Sequence, residues 1–152
     1  MRRYATAMRI FRISITGTAI SAAVALIWGC GEQRPDLVLG QKTYAQHCAS
    51  CHGTKLEGQA DWRKPLSNGR MPAPPHDDSG HTWHHPEEVL FGITKHGLVP
   101  PYAPRGYQSD MPAFAGTLTD DEIHAVLAYI SSHWSSEVLK ARAEMLQNQP
   151  RR

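Results

Sequence analysis

The sequence has few cysteines and little excess charge, and each shortage excludes a class of protein. Its 152 residues contain three Cys, an odd number that excludes a complete disulfide framework within one chain. The formal net charge is +2, which gives no reason to expect a nucleic-acid-binding protein. Hydrophobic residues make up 41% and charged residues 20%, as expected for a globular domain rather than a disordered chain.

The sequence also lacks an internal repeat and any segment with the alternating pattern of a strand. Helical patterns are present instead, and the clearest one begins with Thr119 and Glu122, which are spaced as in a capping box. The predicted helices are residues 37–48, 86–96 and 119–134 and a solvated tail helix over 137–146. Two segments rich in Pro and Gly, 53–85 and 98–116, should contain little regular structure. Loops this long pack poorly unless something fills the space between them.

Basic residues are concentrated at the N-terminus. The first 29 residues contain four Arg and no acidic residue, so the rest of the chain carries a formal charge of −2. A basic start is followed by an uncharged stretch, 13–28, that ends at Gly29-Cys30. Residues 1–29 therefore resemble a bacterial lipoprotein signal, in which the chain is cleaved before Cys30 and the Cys30 thiol is lipidated.

Two alternatives for this leader remain open. One is an uncleaved membrane anchor over residues 13–31, whose 19 uncharged residues just suffice to cross a bilayer. The other is ordinary signal cleavage without lipidation. The lipoprotein signal, the uncleaved anchor and the ordinary signal would each export the domain. The lipoprotein signal and the anchor would also hold it on the periplasmic side of a bacterial membrane, with residues 30–36 as a linker.

One motif carries the chemistry of the chain, Cys48-Ala49-Ser50-Cys51-His52. C-x-x-C-H is the attachment motif of c-type haem. Two thiols add across the two vinyl groups of one porphyrin, so they must lie about a helical turn apart, and the adjacent His reaches the iron. No second Cys pair exists, which excludes a four-thiolate zinc site. The motif predicts one covalent haem c on Cys48 and Cys51, with His52 as the proximal iron ligand.

Three segments around this motif resemble the class I c-type cytochromes, a family of small monohaem electron carriers. Residues 40–53 resemble their N-terminal helix and haem motif, 110–114 their distal loop with its Met-Pro pair, and 118–130 their C-terminal helix. The resemblance implies an all-α cytochrome c fold over residues 37–135, with three to four helices joined by long loops around one haem. Residues 136–152 would then be a tail.

The same resemblance implies roles for individual residues. Gly40 would allow the N-terminal and C-terminal helices to approach closely, and Tyr44 would pack toward Tyr129. Met111, which lies 59 residues after His52 and before the capped helix, would be the distal iron ligand. Met71, only 19 residues after His52, remains an alternative, as does a His. Ligands on both faces of the haem would favour electron transfer over catalysis.

A histidine-rich loop, defined by His76, His81, His84 and His85, departs from the minimal pattern of the family. We interpret it as a polar loop over the haem edge, with Trp83 packed on the porphyrin and a His holding a propionate. Trp62 and Pro65 would belong to the same wall. The alternative is a copper or zinc site. The remaining histidines are predicted to lie on helix surfaces; they are His47, His96, His124 and His133.

The sequence thus predicts an electron carrier, not an enzyme, that meets other redox proteins through weak and short-lived contacts. Three alternatives belong to other functional classes. A haem-based sensor or gas-binding protein would need a displaceable sixth ligand. An electron-accepting subunit would belong to a larger dehydrogenase or oxidase. A periplasmic copper-binding protein would use the histidine-rich loop.

Overall fold

The computed structural model describes residues 36–148, and all regular structure within that range is helical. The helices are α1 (Leu37–His47), α2 (Ala49–His52), α3 (Glu87–His96), α4 (Asp120–Ser131) and α5 (Ser136–Gln147), with a short 3-10 turn over Thr82–His84. The all-α prediction is confirmed. The predicted leader, Cys30 and most of the linker lie outside the described residues.

The ends of α1 and α4 are set by side-chain caps. The Asp36 carboxylate accepts hydrogen bonds from the first amides of α1. Thr119 and Glu122 form both bonds of the predicted capping box at the start of α4. This helix ends at Ser131, earlier than predicted, and Trp134 lies beyond it. The Trp134 indole N–H donates to the His76 carbonyl oxygen at 2.8 Å. This bond connects the Trp134 side chain to the histidine-rich loop.

Helices α1 and α4 pack against each other at Gly40. A Cβ atom added to Gly40 would overlap the Ala125 carbonyl oxygen and lie 2.8 Å from the Tyr129 Cβ atom. Only a glycine therefore permits this separation between the two helices. The rings of Tyr44 and Tyr129 meet next to this point, with their centroids 5.5 Å apart. Both contacts implied by the family resemblance are confirmed.

The buried apolar side chains form two clusters, and α4 contributes to both. The first cluster consists of Tyr44, Leu56, Val126, Ile130 and Trp134. The second consists of Leu90, Phe114, Leu118, Ile123 and Leu127. Because Val126, Leu127 and Ile130 also line the cavity described below, α4 connects the core to the candidate site.

Helices α3 and α5 flank the histidine-rich loop. α3 begins directly after Pro86 and ends at Gly97, whose φ of +82° suits the end of a helix. α5 was predicted to be a solvated tail helix, and none of its residues is buried. However, the Arg142 guanidinium donates to the carbonyl oxygens of Trp83 and His85. The alternating charges of this segment gave no sign of that attachment, because it depends on carbonyls exposed by an irregular loop.

Candidate functional site

A cavity of about 510 Å³ lies among α1 to α4 and the loops between them, within the range of roughly 300–1,000 Å³ typical of cofactor pockets. Part of its wall is apolar and comes from α3, α4 and Phe114. The side chains of chemical interest on the wall are Cys48, Cys51, His52, Met71 and Met111 and three members of the histidine-rich loop. The structure therefore brings the predicted attachment residues and candidate iron ligands of the described range to one cavity.

The two cysteines of the motif lie where α1 passes into α2, Cys48 as the residue between the helices and Cys51 within α2. The Cys48 carbonyl oxygen accepts hydrogen bonds from the amides of Cys51 and His52 at 3.1 and 2.9 Å. The Tyr44 hydroxyl donates to the Gly53 carbonyl oxygen at 2.8 Å and closes the turn from the α1 side. Both thiols are free and line the cavity one helical turn apart, as attachment to a single porphyrin requires.

His52 is buried, and its protonation is defined by one contact. Its Nδ1 lies 2.8 Å from the Pro74 carbonyl oxygen, which can only accept, so Nδ1 carries the proton and Nε2 keeps its lone pair. Burial lowers the pKa of His52, and the bond to Pro74 raises it by a smaller amount. A neutral imidazole whose second nitrogen is fixed by a carbonyl has the chemistry of a metal ligand.

The chemistry of Cys48 does not match that of a redox dithiol. Burial, with a further contribution from the neighbouring Cys51, raises the pKa of the Cys48 thiol to about 11. Catalytic cysteines instead have lowered pKa values, because the thiolate is the nucleophile. The raised pKa of Cys48 therefore argues against a role for this residue as a thiolate nucleophile.

Both candidate distal ligands, Met71 and Met111, lie on the cavity wall. Met111 is half-buried and packs against the second core cluster, whereas Met71 is 36% exposed. The sequence favoured Met111 over Met71, which lies only 19 residues after His52, but no sequence signal indicated that both methionines lie on the wall of one cavity. Each methionine precedes a Pro. Arg70, the residue before Met71, forms an ion pair with Asp110, the residue before Met111.

The segment carrying Met111 is tied to its surroundings by backbone hydrogen bonds. The Met111 amide donates to the Ser109 Oγ at 3.0 Å. The amides of Phe114 and Ala115 donate to the carbonyl oxygens of Thr94 and Lys95, at 3.1 and 2.9 Å. These bonds fasten the loop to the C-terminal end of α3. Met111 thus extends from a segment that is tied to α3 on its C-terminal side.

The histidine-rich loop lies partly on the cavity wall. His76, His81 and His85 line the cavity, and Trp62 stacks on His81 with ring centroids 5.3 Å apart. Burial lowers the pKa of both His81 and His85. Within residues 36–148 there is no group of three or more His, Cys, Asp or Glu side chains arranged to hold a separate metal ion.

Trp83 does not lie where the sequence predicted. It packs against the first core cluster and stacks on His84 with ring centroids 3.6 Å apart, and neither residue is on the cavity wall. Pro65 is absent from the wall as well, whereas Trp62 is part of it. The indole nitrogen of Trp83 is buried without a hydrogen-bond partner among the described residues. The 3-10 turn over Thr82–His84 causes the difference, because it rotates Trp83 away from the cavity.

His76 is a site residue whose contact the sequence did not predict. Its ring is stacked on the ring of His52, with centroids 4.0 Å apart and an angle of 21° between the planes. Burial lowers the pKa of His76 to about 3, with smaller contributions from His52 and His81. The two residues are 24 positions apart in a segment without periodicity, so no sequence signal indicates the contact.

The helical histidines divide between surface and site. His96, His124 and His133 are exposed, as predicted. His47 was also predicted to lie on a helix surface, but it is half-buried and lines the cavity near Phe114. It is the last residue of α1, and the turn at Cys48 directs this end of the helix toward the cavity.

The donor set of this cavity fits a covalently attached haem. It offers two thiols one turn apart, a neutral imidazole with an available Nε2 and thioether sulfur from two methionines. Apolar side chains of α3 and α4 provide the low-polarity surroundings that a porphyrin ring needs. Among the helices of residues 36–148, none is long and apolar enough to span a bilayer.

Comparison with protein families identifies the one to which this chain belongs. The family model described as cytochrome c matches residues 37–134, which is more than half of the chain. The matched region begins at the first residue of α1 and extends past the end of α4, so it includes every cavity residue discussed above. No solved structure matches the chain.

Proposed function

Because the chain belongs to the cytochrome c family of haem c-binding electron-transfer proteins, we propose that Cys48 and Cys51 hold one haem, with His52 and Met111 as its axial ligands. The observation that carries the proposal is the hydrogen bond from His52 Nδ1 to the Pro74 carbonyl oxygen. It places the proton on Nδ1, while burial, which lowers the pKa of His52, favours the neutral ring, so Nε2 is left as the lone-pair nitrogen.

The bound haem supplies an iron that gains and loses one electron. The protein's residues supply the rest. Pro74 orients the His52 ring, and the bonds from Phe114 and Ala115 to α3 hold the segment of Met111. The apolar residues of α3 and α4 exclude water from the cavity. Ligands that hardly move between oxidation states allow the electron to pass with little rearrangement.

We assign this chain the role of a carrier rather than an enzyme, as is general in the family. His52 on one face and Met111 on the other would leave no open position at the iron for bond-making chemistry. Thioether sulfur is a soft donor that favours ferrous iron, so Met111 would raise the reduction potential relative to a second His.

Location and partners extend the proposal. Members of the family are typically exported, and we propose that this chain acts outside the cytoplasm, anchored at a membrane through a lipid on Cys30 or an uncleaved leader. Its partners would be other redox proteins that donate and accept single electrons. A leader with four Arg and no acidic residue supports export.

The firm attachment of the Met111 segment supports a carrier over a gas sensor, because a sensor needs a sixth ligand that leaves easily. Carbon monoxide binding to the reduced protein separates the two functions. A carrier with a fixed His/Met pair binds it weakly and slowly, whereas a sensor binds it at once. Co-purification from membranes tests the other alternative, a subunit of a larger dehydrogenase or oxidase.

Absorption spectra of the oxidised protein test the ligand assignment. A methionine bound to ferric haem gives a weak near-infrared band from sulfur to iron. We expect the band in wild type and in Met71→Ala, and its loss in Met111→Ala. Met145→Ala, on α5 and away from the cavity, is the matched control. A band that survives Met111→Ala but disappears in Met71→Ala would reassign the ligand to Met71.

A further inference from the structure

Two imidazoles lie face to face beside the candidate haem cavity, that of buried His52 and that of partly buried His76. The rings of His52 and His76 are 4.0 Å apart at their centroids and only 21° from parallel. Both residues line the cavity. The contact is independent of the C-x-x-C-H motif, since His76 lies on the far side of a long irregular segment.

His76 is immobilised by its own contacts. Its amide donates to the Leu56 carbonyl oxygen at 2.7 Å, and its carbonyl oxygen accepts from the Trp134 indole N–H at 2.8 Å. Its ring Nδ1 lies 2.7 Å from the hydroxyl oxygen of Thr82, which is buried. Backbone and ring are therefore both fixed, so the face of this imidazole is a rigid surface.

We propose that His76 is a positioning residue that sets the plane of the His52 imidazole at the haem. This inference rests on the proposed role of His52 as the proximal ligand. The bond from Nδ1 to Pro74 restrains rotation of the His52 ring about its Cβ–Cγ bond, but a single hydrogen bond still tolerates some tilt of the ring. A flat neighbour 4.0 Å away blocks such tilt, and the two contacts together define the plane.

The stacked geometry also gives His76 a role distinct from ligation. A ring stacked on His52 at van der Waals distance would lie on the same side of a haem bound through His52. It would not reach the opposite face, where a sixth ligand would bind. His76 therefore acts on the iron through His52.

The plane of an axial imidazole decides how unpaired spin spreads over a ferric haem, because it selects the iron orbital that mixes with the porphyrin. Proton NMR reports this directly, through the order and spread of the shifted haem methyl signals. The reduction potential is a second readout, since contacts behind a ligand tune the metal. A residue that only stabilises the fold would change neither in a protein that remains folded.

Two substitutions of His76 separate its ring face from its hydrogen bond. His76→Asn keeps a polar atom near the position of Nδ1, within reach of Thr82, and removes the stacked ring. His76→Phe keeps an aromatic face against His52 and removes the hydrogen bond. We expect His76→Asn to lose the wild-type order or spread of haem methyl signals and to shift the reduction potential. We expect His76→Phe to retain a pattern close to wild type.

The matched control is His124→Asn, which removes an exposed His that stacks on Phe91 outside the cavity. Thr82→Val is a third test, because it frees the His76 ring without removing it and should broaden or shift the same signals. Circular dichroism selects the variants that fold, so loss of one variant leaves the others informative.

Three results would overturn the role of His76. These are wild-type signals in His76→Asn, equal changes in His76→Asn and His76→Phe, or changes as large in His124→Asn. Failure of the proposed ligation has a different signature. In that case the wild type itself would lack the spectrum of a six-coordinate His/Met haem, whatever the His76 variants show.

Discussion

Arg70 and Asp110 form an ion pair that joins the residue before Met71 to the residue before Met111. The two residues are 40 positions apart, so the pair closes a long loop across the cavity. Each methionine is followed by Pro, which restricts the backbone just beyond it. The pair therefore controls how the two Met-Pro segments face the site.

Arg70→Gln should weaken the hold on Met111 while changing the fold little. The side chains of Arg70 and Asp110 are 37% and 56% exposed, so the pair contributes only about 0–1 kcal/mol to stability. The segment before Met111 becomes more mobile, and carbon monoxide should bind the reduced protein several-fold faster than wild type. Stopped-flow absorbance measures that rate. Arg105→Gln, at another position in the same loop region, is the control, and an equal increase there would contradict the prediction.

Gly40→Ala should destabilise the protein through the contact between α1 and α4. A Cβ atom at Gly40 overlaps the Ala125 carbonyl oxygen, which belongs to a helix backbone and cannot rotate away. We expect the free energy of unfolding to fall by about 1–3 kcal/mol, in the range of overpacked cores. Denaturant titration measures the loss.

Gly116→Ala is the control for that substitution, because nothing lies within 4 Å of the added Cβ and its φ is not in the left-handed region. It should leave stability unchanged or raise it by up to about 1 kcal/mol, since Ala restricts the unfolded chain. Equal stability of both variants would show that α1 and α4 can separate without cost.

The sequence predicted the helical frame because the signals for it are local. The capping box at Thr119 and the break at Gly97 each depend on a few neighbouring residues. The close approach at Gly40 and the contact between Tyr44 and Tyr129 came from the family resemblance. The C-x-x-C-H motif is equally local, so the haem-binding turn at Cys48 was predictable as well.

The contacts of the histidine-rich loop were not predictable, since they depend on the path of an irregular chain. No periodic pattern in the sequence indicates that His76 stacks on His52 or that Met71 lines the cavity. Trp83 was placed wrongly for the same reason, because one 3-10 turn decides which side it faces. Irregular segments fix their side chains only through tertiary contacts.

His81 and His85 should make stability depend on pH. Burial lowers the pKa of each. Smaller contributions come from His84 and Arg63 at His81, and from His81, His84 and Arg142 at His85. An unfolded His titrates near about pH 6.5. Below that pH the unfolded chain binds protons that the folded protein does not. The contribution of these two histidines to stability is therefore complete above about pH 6.5 and is lost as the pH falls toward their lower pKa values in the folded protein.

The variant His81→Gln/His85→Gln should therefore lose less stability than wild type between neutral and mildly acidic pH. Denaturant midpoints at pH 7.5 and at pH values below about 6.5 measure the difference. His96→Gln, an exposed position on α3, is the control and should keep the wild-type slope. The prediction is wrong if the double variant and wild type lose stability in parallel.

Arg142→Gln should loosen the histidine-rich loop, because its guanidinium is shared by the carbonyl oxygens of Trp83 and His85. Hydrogen bonds to a charged donor contribute about 1.5–3 kcal/mol, and partial exposure of Arg142 places the expected loss at the lower end. Thermal unfolding should show the loss, and hydrogen exchange should speed up at the amides of the 3-10 turn, Thr82–His84. Lys140→Gln, an exposed position two residues earlier on α5, removes the same charge and should do neither. If Arg142→Gln and Lys140→Gln change stability and exchange equally, the effect comes from losing a positive charge on α5. The hydrogen bonds from Arg142 to the loop would then not contribute to stability.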